Sequence, residues 1–109
     1  MQPQGHVQVL LNMLVFKHNP QAALDAPRFC VGAGMPDQGS LLDTVFLEEG
    51  ISEAVAEELR GMGHTVEIVR GFKRGLFGRG QVIRCHFEGG RHVYSAGSDP
   101  RGDGAAVAA

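Results

Sequence analysis

The sequence has little of several features that define large protein classes. Its 109 residues include only two cysteines, Cys30 and Cys85, which are too few for a disulfide framework. The formal net charge of -2 gives no field that would attract nucleic acid or a membrane surface. The apolar run from Val7 to Phe16 is shorter than the roughly 18 residues of a membrane span. We therefore expect a globular chain without a membrane span or a nucleic-acid partner.

Targeting and metal-binding patterns are also missing. No basic segment precedes the Val7–Phe16 run and no small-residue cleavage site follows it, so a signal of an exported parent protein would lie upstream. The five histidines form no His-x-x-x-His pair, and neither cysteine belongs to a Cys-x-x-Cys motif. We expect no metal and no cofactor. Both thiols are expected to be free and buried, because an unpaired cysteine packs like a small apolar residue; the sequence offers no support for a Cys30–Cys85 bridge.

One glycine-rich segment invites comparison with a phosphate-binding loop. Gly75–Gly80 lacks the Gly-Lys-Ser/Thr ending of a P-loop, and the segment after it is predicted to be a strand rather than a helix. The basic residues around it predict a solvated loop over Gly71–Gly80. Without aromatic residues interleaved among them, they do not indicate nucleic-acid binding.

The remaining sequence alternates periodic apolar segments with Gly and Pro turns. Asn19 and Pro20 are typical of a helix start, Ser52 of another, and Gly89-Gly90 of a hairpin. The predicted helices are Val7–Lys17, Pro20–Leu24 and a third that follows Ser52 and ends at Gly61 and Gly63. The predicted strands are Arg28–Val31, Thr44–Glu48, His64–Arg70, Gln81–Glu88 and His92–Ala96, with a loop at Gly32–Gly39. The pattern indicates an α+β fold with helices packed on a mostly antiparallel sheet.

Two helices differ in their apolar pattern. The first predicted helix is apolar on nearly all sides, which is typical of a helix buried on most sides and points to a larger partner. In the helix after Ser52, the residues Ile51, Val55 and Leu59 form one apolar stripe, while Glu57 and Glu58 are expected to face water.

Five different segments that contain Pro or Gly occur in a definite order along the chain. They are Met1–Asn12, Asn19–Phe29, Leu47–Ile51, Gly78–Gln81 and Gly97–Arg101. Together they resemble the C-terminal part of the small subunit of gamma-glutamyltransferases (glutathione hydrolases). The Gln2-Pro-Gln-Gly-His6 start is closer to a divergent glutathione-hydrolase-like branch than to the enzymes with a Ser-Arg start.

The resemblance implies part of an N-terminal-nucleophile hydrolase αββα sandwich, with residues 1–104 as the small-subunit segment and 105–109 as a flexible tail. In that family a Thr at the start of the small subunit is the nucleophile, its free amine is the general base, and a Gly-Gly pair forms the oxyanion hole. The resemblance places all three upstream of Met1. We therefore expect no catalytic residue in this chain, no activity from it alone, and partners in the missing upstream small-subunit and large-subunit polypeptide. A glutathione-like molecule is the implied substrate of the complete enzyme.

The start of the first helix is the candidate substrate-binding region. It carries no Asp, Ser, Thr or Asn cap, so its first N–H groups are left for another acceptor or fray. Gln2, Gln4 and His6 are the residues expected to border a substrate pocket. For His6 a core histidine with a satisfied ring N–H is the more ordinary interpretation, and a proton-transfer role is the alternative.

Three residues are expected to have structural roles. Asp99 precedes Pro100, so its carboxylate can form an Asx-type turn, and Arg101 can bind a carboxylate bidentately. The Ser98–Arg101 motif is interpreted as a clasp for the C-terminal segment. Arg28 is expected to form a salt bridge with a carboxylate elsewhere.

Four functional hypotheses follow. The first is a segment of an amide-cleaving hydrolase or transferase. The second, a close variant, is a segment of a related amide acylase. The third is a truncated, non-catalytic remnant. The fourth, an independent binding module, is disfavoured by the apolar first helix.

Overall fold

The computed structural model describes residues 1–32 and 43–108. Its helices are α1 (Gln2–Leu14), α2 (Pro20–Asp25) and α3 (Glu53–Gly61), with a 3-10 helix at Gly71–Phe77. Its strands are β1 (Phe29–Val31), β2 (Thr44–Glu48), β3 (Thr65–Val69), β4 (Gln81–Glu88) and β5 (Arg91–Ser98). The β1–β2 and β4–β5 pairs are antiparallel and β2–β3 is parallel, so the predicted α+β class is confirmed.

The chain divides into two compact units. The first unit comprises Met1–Gly5 and Pro27–Gly78, and the second comprises His6–Ala26 and Arg79–Ala109. The first residues of helix α1, up to Gly5, therefore belong to the first unit, and the rest of the helix belongs to the second. Among the described residues, no helix is long and apolar enough to cross a bilayer.

The first unit is built on a three-stranded sheet in the order β1-β2-β3. Every residue of the central strand β2 is buried, and its side chains alternate between two apolar clusters because successive residues of a strand point to opposite faces. One cluster lies against α3 and contains Val45, Leu47, Ala56 and Val66. The other contains Cys30, Phe46, Val69 and Phe77, with Met1 and Leu76 packed against it.

The second unit is built on the β4–β5 hairpin, which pairs from Gln81↔Ser98 to Glu88↔Arg91. The hairpin turn is Gly89-Gly90, where both φ angles are positive at 56° and 79°, as the tight turn between twisted strands requires. Helix α2 begins at Asn19, whose side chain accepts a hydrogen bond of 2.8 Å from the Ala22 N–H. Pro20 occupies the first turn, so the predicted helix start is confirmed.

The structure corrects several sequence expectations. Helix α1 begins five residues earlier than predicted, and only Met13 within it is buried, so the described residues of this chain do not by themselves cover the apolar helix. The segment Gly71–Phe77 is a 3-10 helix rather than a loop, because its Phe77 enters the core of the first unit. The Ser52 cap is present, but Val55 is 42% exposed and Ala56 is the buried residue of α3. The predicted Gly32–Gly39 loop lies, after Gly32, outside the described residues.

Candidate functional site

The first turn of α1 is held to the edge strand β1 by a glutamine side chain. The Gln4 side chain donates from Nε2 to the Val31 carbonyl over 2.9 Å, and its Oε1 accepts from the Val31 N–H over 2.8 Å. Within the helix the Gly5 N–H donates to the Met1 carbonyl over 2.9 Å. The two polar atoms of the Gln4 amide therefore both bond to β1.

The other two candidate substrate-pocket residues are exposed. Gln2 and His6 both lie on the surface, and their spacing of four residues places them on one side of α1. A residue two positions along a helix is rotated by about 200°, so Gln4 projects from the opposite side. Since His6 is exposed, its interpretation as a core histidine is wrong for this chain. The first turn contains no acidic side chain, which leaves its positive dipole end without a local counter-charge.

A network of charged side chains lies inside the first unit. The Arg28 guanidinium donates to the Phe77 carbonyl over 3.1 Å and to the Gly78 carbonyl over 3.4 Å. The Glu48 carboxylate accepts from the Arg28 backbone N–H over 2.8 Å, and Arg74 lies 3.8 Å from its other oxygen. Both Arg28 and Glu48 are buried. The network joins the residue before β1, the end of β2 and the 3-10 helix.

The Asp99–Arg101 pair forms a second buried polar cluster, in the second unit. The Asp99 carboxylate accepts from the Gly80 N–H over 2.8 Å and from the Arg101 N–H over 2.9 Å, the second being the predicted Asx-type turn. Arg101 donates to the same carboxylate over 3.0 Å and to the carbonyls of Leu24 and Ala26 over 2.7 and 3.0 Å. These bonds join the end of α2, the start of β4 and the segment after β5.

A further polar contact in the second unit has no counterpart in the sequence expectations. Gln21 donates from Nε2 to the Ser98 carbonyl over 2.9 Å, and its Oε1 accepts from the Ser98 N–H over 3.0 Å. The residues are 77 positions apart, and no local pattern marks either one as a partner of the other. Sequence reasoning therefore missed it.

The two cysteines have different environments, so the expectation that both are buried is wrong for one of them. Both are free; Cys30 is buried, while Cys85 is exposed on the hairpin. Removal from water raises the pKa of the Cys30 thiol, which keeps it in the neutral form. The Cys85 sulfur lies 3.7 Å from His92 Nδ1. Within residues 1–32 and 43–108, no three His, Cys, Asp or Glu side chains are grouped so that they could hold a metal ion.

Comparison with known proteins identifies relatives over almost the whole chain. The family model described as Gamma-glutamyltranspeptidase matches residues 1–109. The glutathione hydrolase-like YwrD proenzyme of Bacillus subtilis is 32% identical over 106 residues, which are 97% of this chain and 19% of that protein. The chain thus spans about a fifth of this relative's length.

Solved structures are also similar to this chain over most of its length. Cephalosporin acylase from Bacillus halodurans matches with a TM-score of 0.70 and 38% identity, covering 91% of this chain and 16% of that one. An acivicin-inhibited gamma-glutamyltranspeptidase, whose structure reveals critical roles for its own C-terminus in autoprocessing and catalysis, matches with a TM-score of 0.70. That match is 23% identical and covers 91% of this chain and 47% of the other, so it shows a shared fold.

Proposed function

The chain belongs to the gamma-glutamyltranspeptidase family, an N-terminal-nucleophile hydrolase family that includes related acylases, and from this premise we propose that it is the C-terminal segment of an enzyme that cleaves gamma-glutamyl amides. The nucleophilic Thr lies outside the chain, and the chain alone is inactive. One observation carries the proposal: the family match extends over residues 1–109, while the 106 residues that match the Bacillus subtilis proenzyme make up only 19% of it.

The proposed reaction is an acyl transfer through the Thr nucleophile. The free amine of the Thr takes the hydroxyl proton as the oxygen attacks the gamma-glutamyl carbonyl. It passes this proton to the leaving amine as the C–N bond breaks, which leaves an acyl ester on the Thr. Water or an acceptor amine then releases the acyl group. Residues 1–104 would support this site from one side, with 105–109 as a tail outside the fold.

Three residues of α1 are assigned to the border of the substrate pocket in this proposal. Gln2 and His6 are exposed on one side of the helix, and Gln4 holds the same turn to β1. The first turn has no acidic side chain, which suits an anionic substrate or a developing oxyanion nearby. Arg28, Asp99 and Arg101 are assigned structural roles, because their side chains are buried and bonded to backbone groups of other segments.

Exposed apolar faces support a larger polypeptide as the partner. On α1 the exposed apolar residues are Val7, Leu10, Leu11 and Leu14. On the hairpin, Ile83, Phe87 and Tyr94 are 73%, 65% and 68% exposed, and strand alternation with the β4–β5 register places them on one face. Contiguous apolar surface of this kind marks an interaction site in a soluble protein. We assign its cover to the remaining polypeptide of the same enzyme.

A related amide acylase is the second candidate. The chain is 38% identical to cephalosporin acylase and 23% identical to the gamma-glutamyltranspeptidase described above. The higher identity favours an acylase substrate, and the reaction would still be the cleavage of an amide.

The test compares the 109-residue chain with the complete protein that contains it. Both are assayed with a gamma-glutamyl anilide and with a cephalosporin that carries an acyl side chain. We expect turnover only from the complete protein, and the preferred substrate distinguishes the two candidates. Turnover by the isolated chain would disprove the placement of the nucleophile, and no turnover of either substrate by the complete protein would disprove the proposed function.

A further inference from the structure

The Gln4 side chain bonds to Val31 in the way that a residue of a neighbouring strand would. A side-chain amide carries the same donor and acceptor as a peptide group. Within the described residues β1 is an outer strand of the three-stranded sheet, and Gln4 bonds to both the N–H and the carbonyl of Val31, over 2.8 and 2.9 Å. Gln4 therefore satisfies at this residue the groups that a further strand would otherwise pair.

Two other contacts hold the same turn. The Met1 side chain packs against the Cys30–Phe46–Val69–Phe77 cluster, and Gly78 lies beside it, since a Cβ at Gly78 would be 3.7 Å from Met1 Cγ. Met1–Gly5 accordingly forms part of the first unit, although the rest of α1 belongs to the second. Met1 supplies apolar contact, which is non-directional, whereas the two hydrogen bonds of Gln4 set the distance and rotation of the turn relative to β1.

The second unit contains a similar glutamine contact, but at a different helix and strand. Gln21, in the first turn of α2, bonds to both backbone groups of Ser98 over 2.9 and 3.0 Å. Like Gln4, Gln21 lies in the first turn of its helix and bonds through its amide to both backbone groups of one residue, and it also donates to Asp25 Oδ1 over 2.9 Å. Gln21 is therefore an internal control for the energetic value of such a contact.

We propose that Gln4 is a positioning residue for amide cleavage: by fixing the first turn of α1 on β1, it places the backbone that leads into this helix at the reacting carbonyl. The proposal rests on the proposed function and on the family resemblance, which implies that the Gly-Gly oxyanion donors lie upstream of Met1. Gln4 acts through the backbone and does not need to touch the substrate. Gln21 carries no such role and contributes stability alone.

The physical reason is that oxyanion donors are effective only when they are held in place before the reaction. Loss of the Gln4 bonds frees the turn to rotate or slide along β1. A displacement of about 1 Å in such groups can reduce turnover by about a hundred-fold. The effect falls on kcat more than on KM, because the donors bind the transition state more strongly than the substrate.

The test uses the complete protein with four variants in two matched pairs. Gln4→Met and Gln21→Met remove the two hydrogen bonds to Val31 and to Ser98, respectively, and keep a long side chain of high helix propensity. Gln21→Met also removes the bond to Asp25, so we expect it to lower the melting temperature at least as much as Gln4→Met does. We expect Gln4→Met alone to lower kcat for the amide substrate, by about ten-fold to a hundred-fold, with little change in KM.

Gln4→Glu and Gln21→Glu add a readout that general destabilisation would not change. A carboxylate at position 4 still accepts from the Val31 N–H but opposes its carbonyl, whereas the neutral acid can donate to it. The pKa of an ordinary Glu is about 4.3. Lowering the pH from about 8 to about 5 should therefore restore part of the kcat of Gln4→Glu relative to wild type. The same ratio for Gln4→Met should stay constant.

The outcomes separate the two proposals. If wild-type protein turns over the amide and Gln4→Met retains the kcat of Gln21→Met, the positioning role is disproved while the function stands. If the kcat of Gln4→Glu shows no pH rescue, the hydrogen bond to the Val31 carbonyl is not the basis of the effect and the proposal fails. If wild-type protein is inactive, the function itself fails, and the positioning role with it.

Discussion

Three hydrogen bonds inside the second unit end on the two carboxylate oxygens of Asp99. One oxygen accepts from the Gly80 N–H, and the other accepts from the backbone and the guanidinium of Arg101. Both side chains are almost completely buried. Because a buried donor that loses its acceptor incurs the desolvation cost of the whole group, this pair is more sensitive to substitution than an exposed ion pair.

The first prediction concerns Asp99→Asn. An amide keeps the shape of the carboxylate but turns one acceptor into a donor that faces an N–H group, so the second unit should lose about 1–3 kcal/mol of opening free energy. Hydrogen exchange at the Gly80 amide measures this loss. Asp103→Asn removes an exposed carboxylate from the same segment and should leave the exchange unchanged. Equal exchange rates for both variants would disprove the role of Asp99.

At the residue scale the sequence predicted local contacts better than distant ones. The Asx-type turn at Asp99 depends on residues two positions apart, and Asp-Pro is sufficient to predict it. The bonds of Arg101 to Leu24 and Ala26, and the Gln4 contact with Val31, join residues far apart in the chain. No periodicity encodes such pairs, because they depend on how the elements pack.

At the element scale, Gly97 determines how closely α2 approaches β5. A Cβ at Gly97 would lie 2.9 Å from the Gln21 backbone nitrogen and 3.0 Å from the Pro20 carbonyl carbon. Backbone atoms cannot rotate away as a side chain can, so any larger residue would push the helix off the hairpin.

The second prediction compares two glycine substitutions. Gly97→Ala should destabilise the second unit by about 1–3 kcal/mol through overpacking. Gly61→Ala, in α3, meets no atom within 4 Å and should stabilise its helix by about 0.5–1 kcal/mol. Denaturant unfolding measures both. A Gly97→Ala variant as stable as wild type would show that α2 adapts without cost.

Elements with strong local signals were predicted closely. Thr44–Glu48 and Gln81–Glu88 match β2 and β4 at both ends, and the Gly89-Gly90 turn follows directly from its two glycines. The start of α1 was placed at Val7 because its polar first residues break the apolar pattern, although they continue the helix. The 3-10 helix was missed because Phe77, which anchors it, is surrounded by Gly and basic residues.

At the scale of the whole molecule, the apolar surface of α1 and of the hairpin matters most. Leu10 and Ile83 are 53% and 73% exposed, although each belongs to a regular element with apolar neighbours on the same face. The sequence predicted a partner from the composition of α1. It did not predict the hairpin face, because alternation alone does not show which side of a two-stranded sheet is covered.

The third prediction tests whether further polypeptide covers these faces. In the complete protein, Leu10→Lys and Ile83→Lys should each lower the melting temperature, since a charge would replace a buried apolar side chain at a cost of about 2 kcal/mol or more. Val107→Lys, at an 85% exposed residue outside any helix or strand, is the matched control. Unchanged melting temperatures for all three would disprove the assigned cover.

The division of the chain also has a consequence for its synthesis on the ribosome. The second unit is formed from His6–Ala26 and Arg79–Ala109, so its helices emerge first and its hairpin last. Synthesis adds about 5–20 residues per second, so several seconds separate the synthesis of α2 and most of α1 from that of the strands on which they pack. During that interval the apolar side chains of His6–Ala26 have no hairpin to pack on, and the first unit can complete its sheet before β4 and β5 have been synthesised.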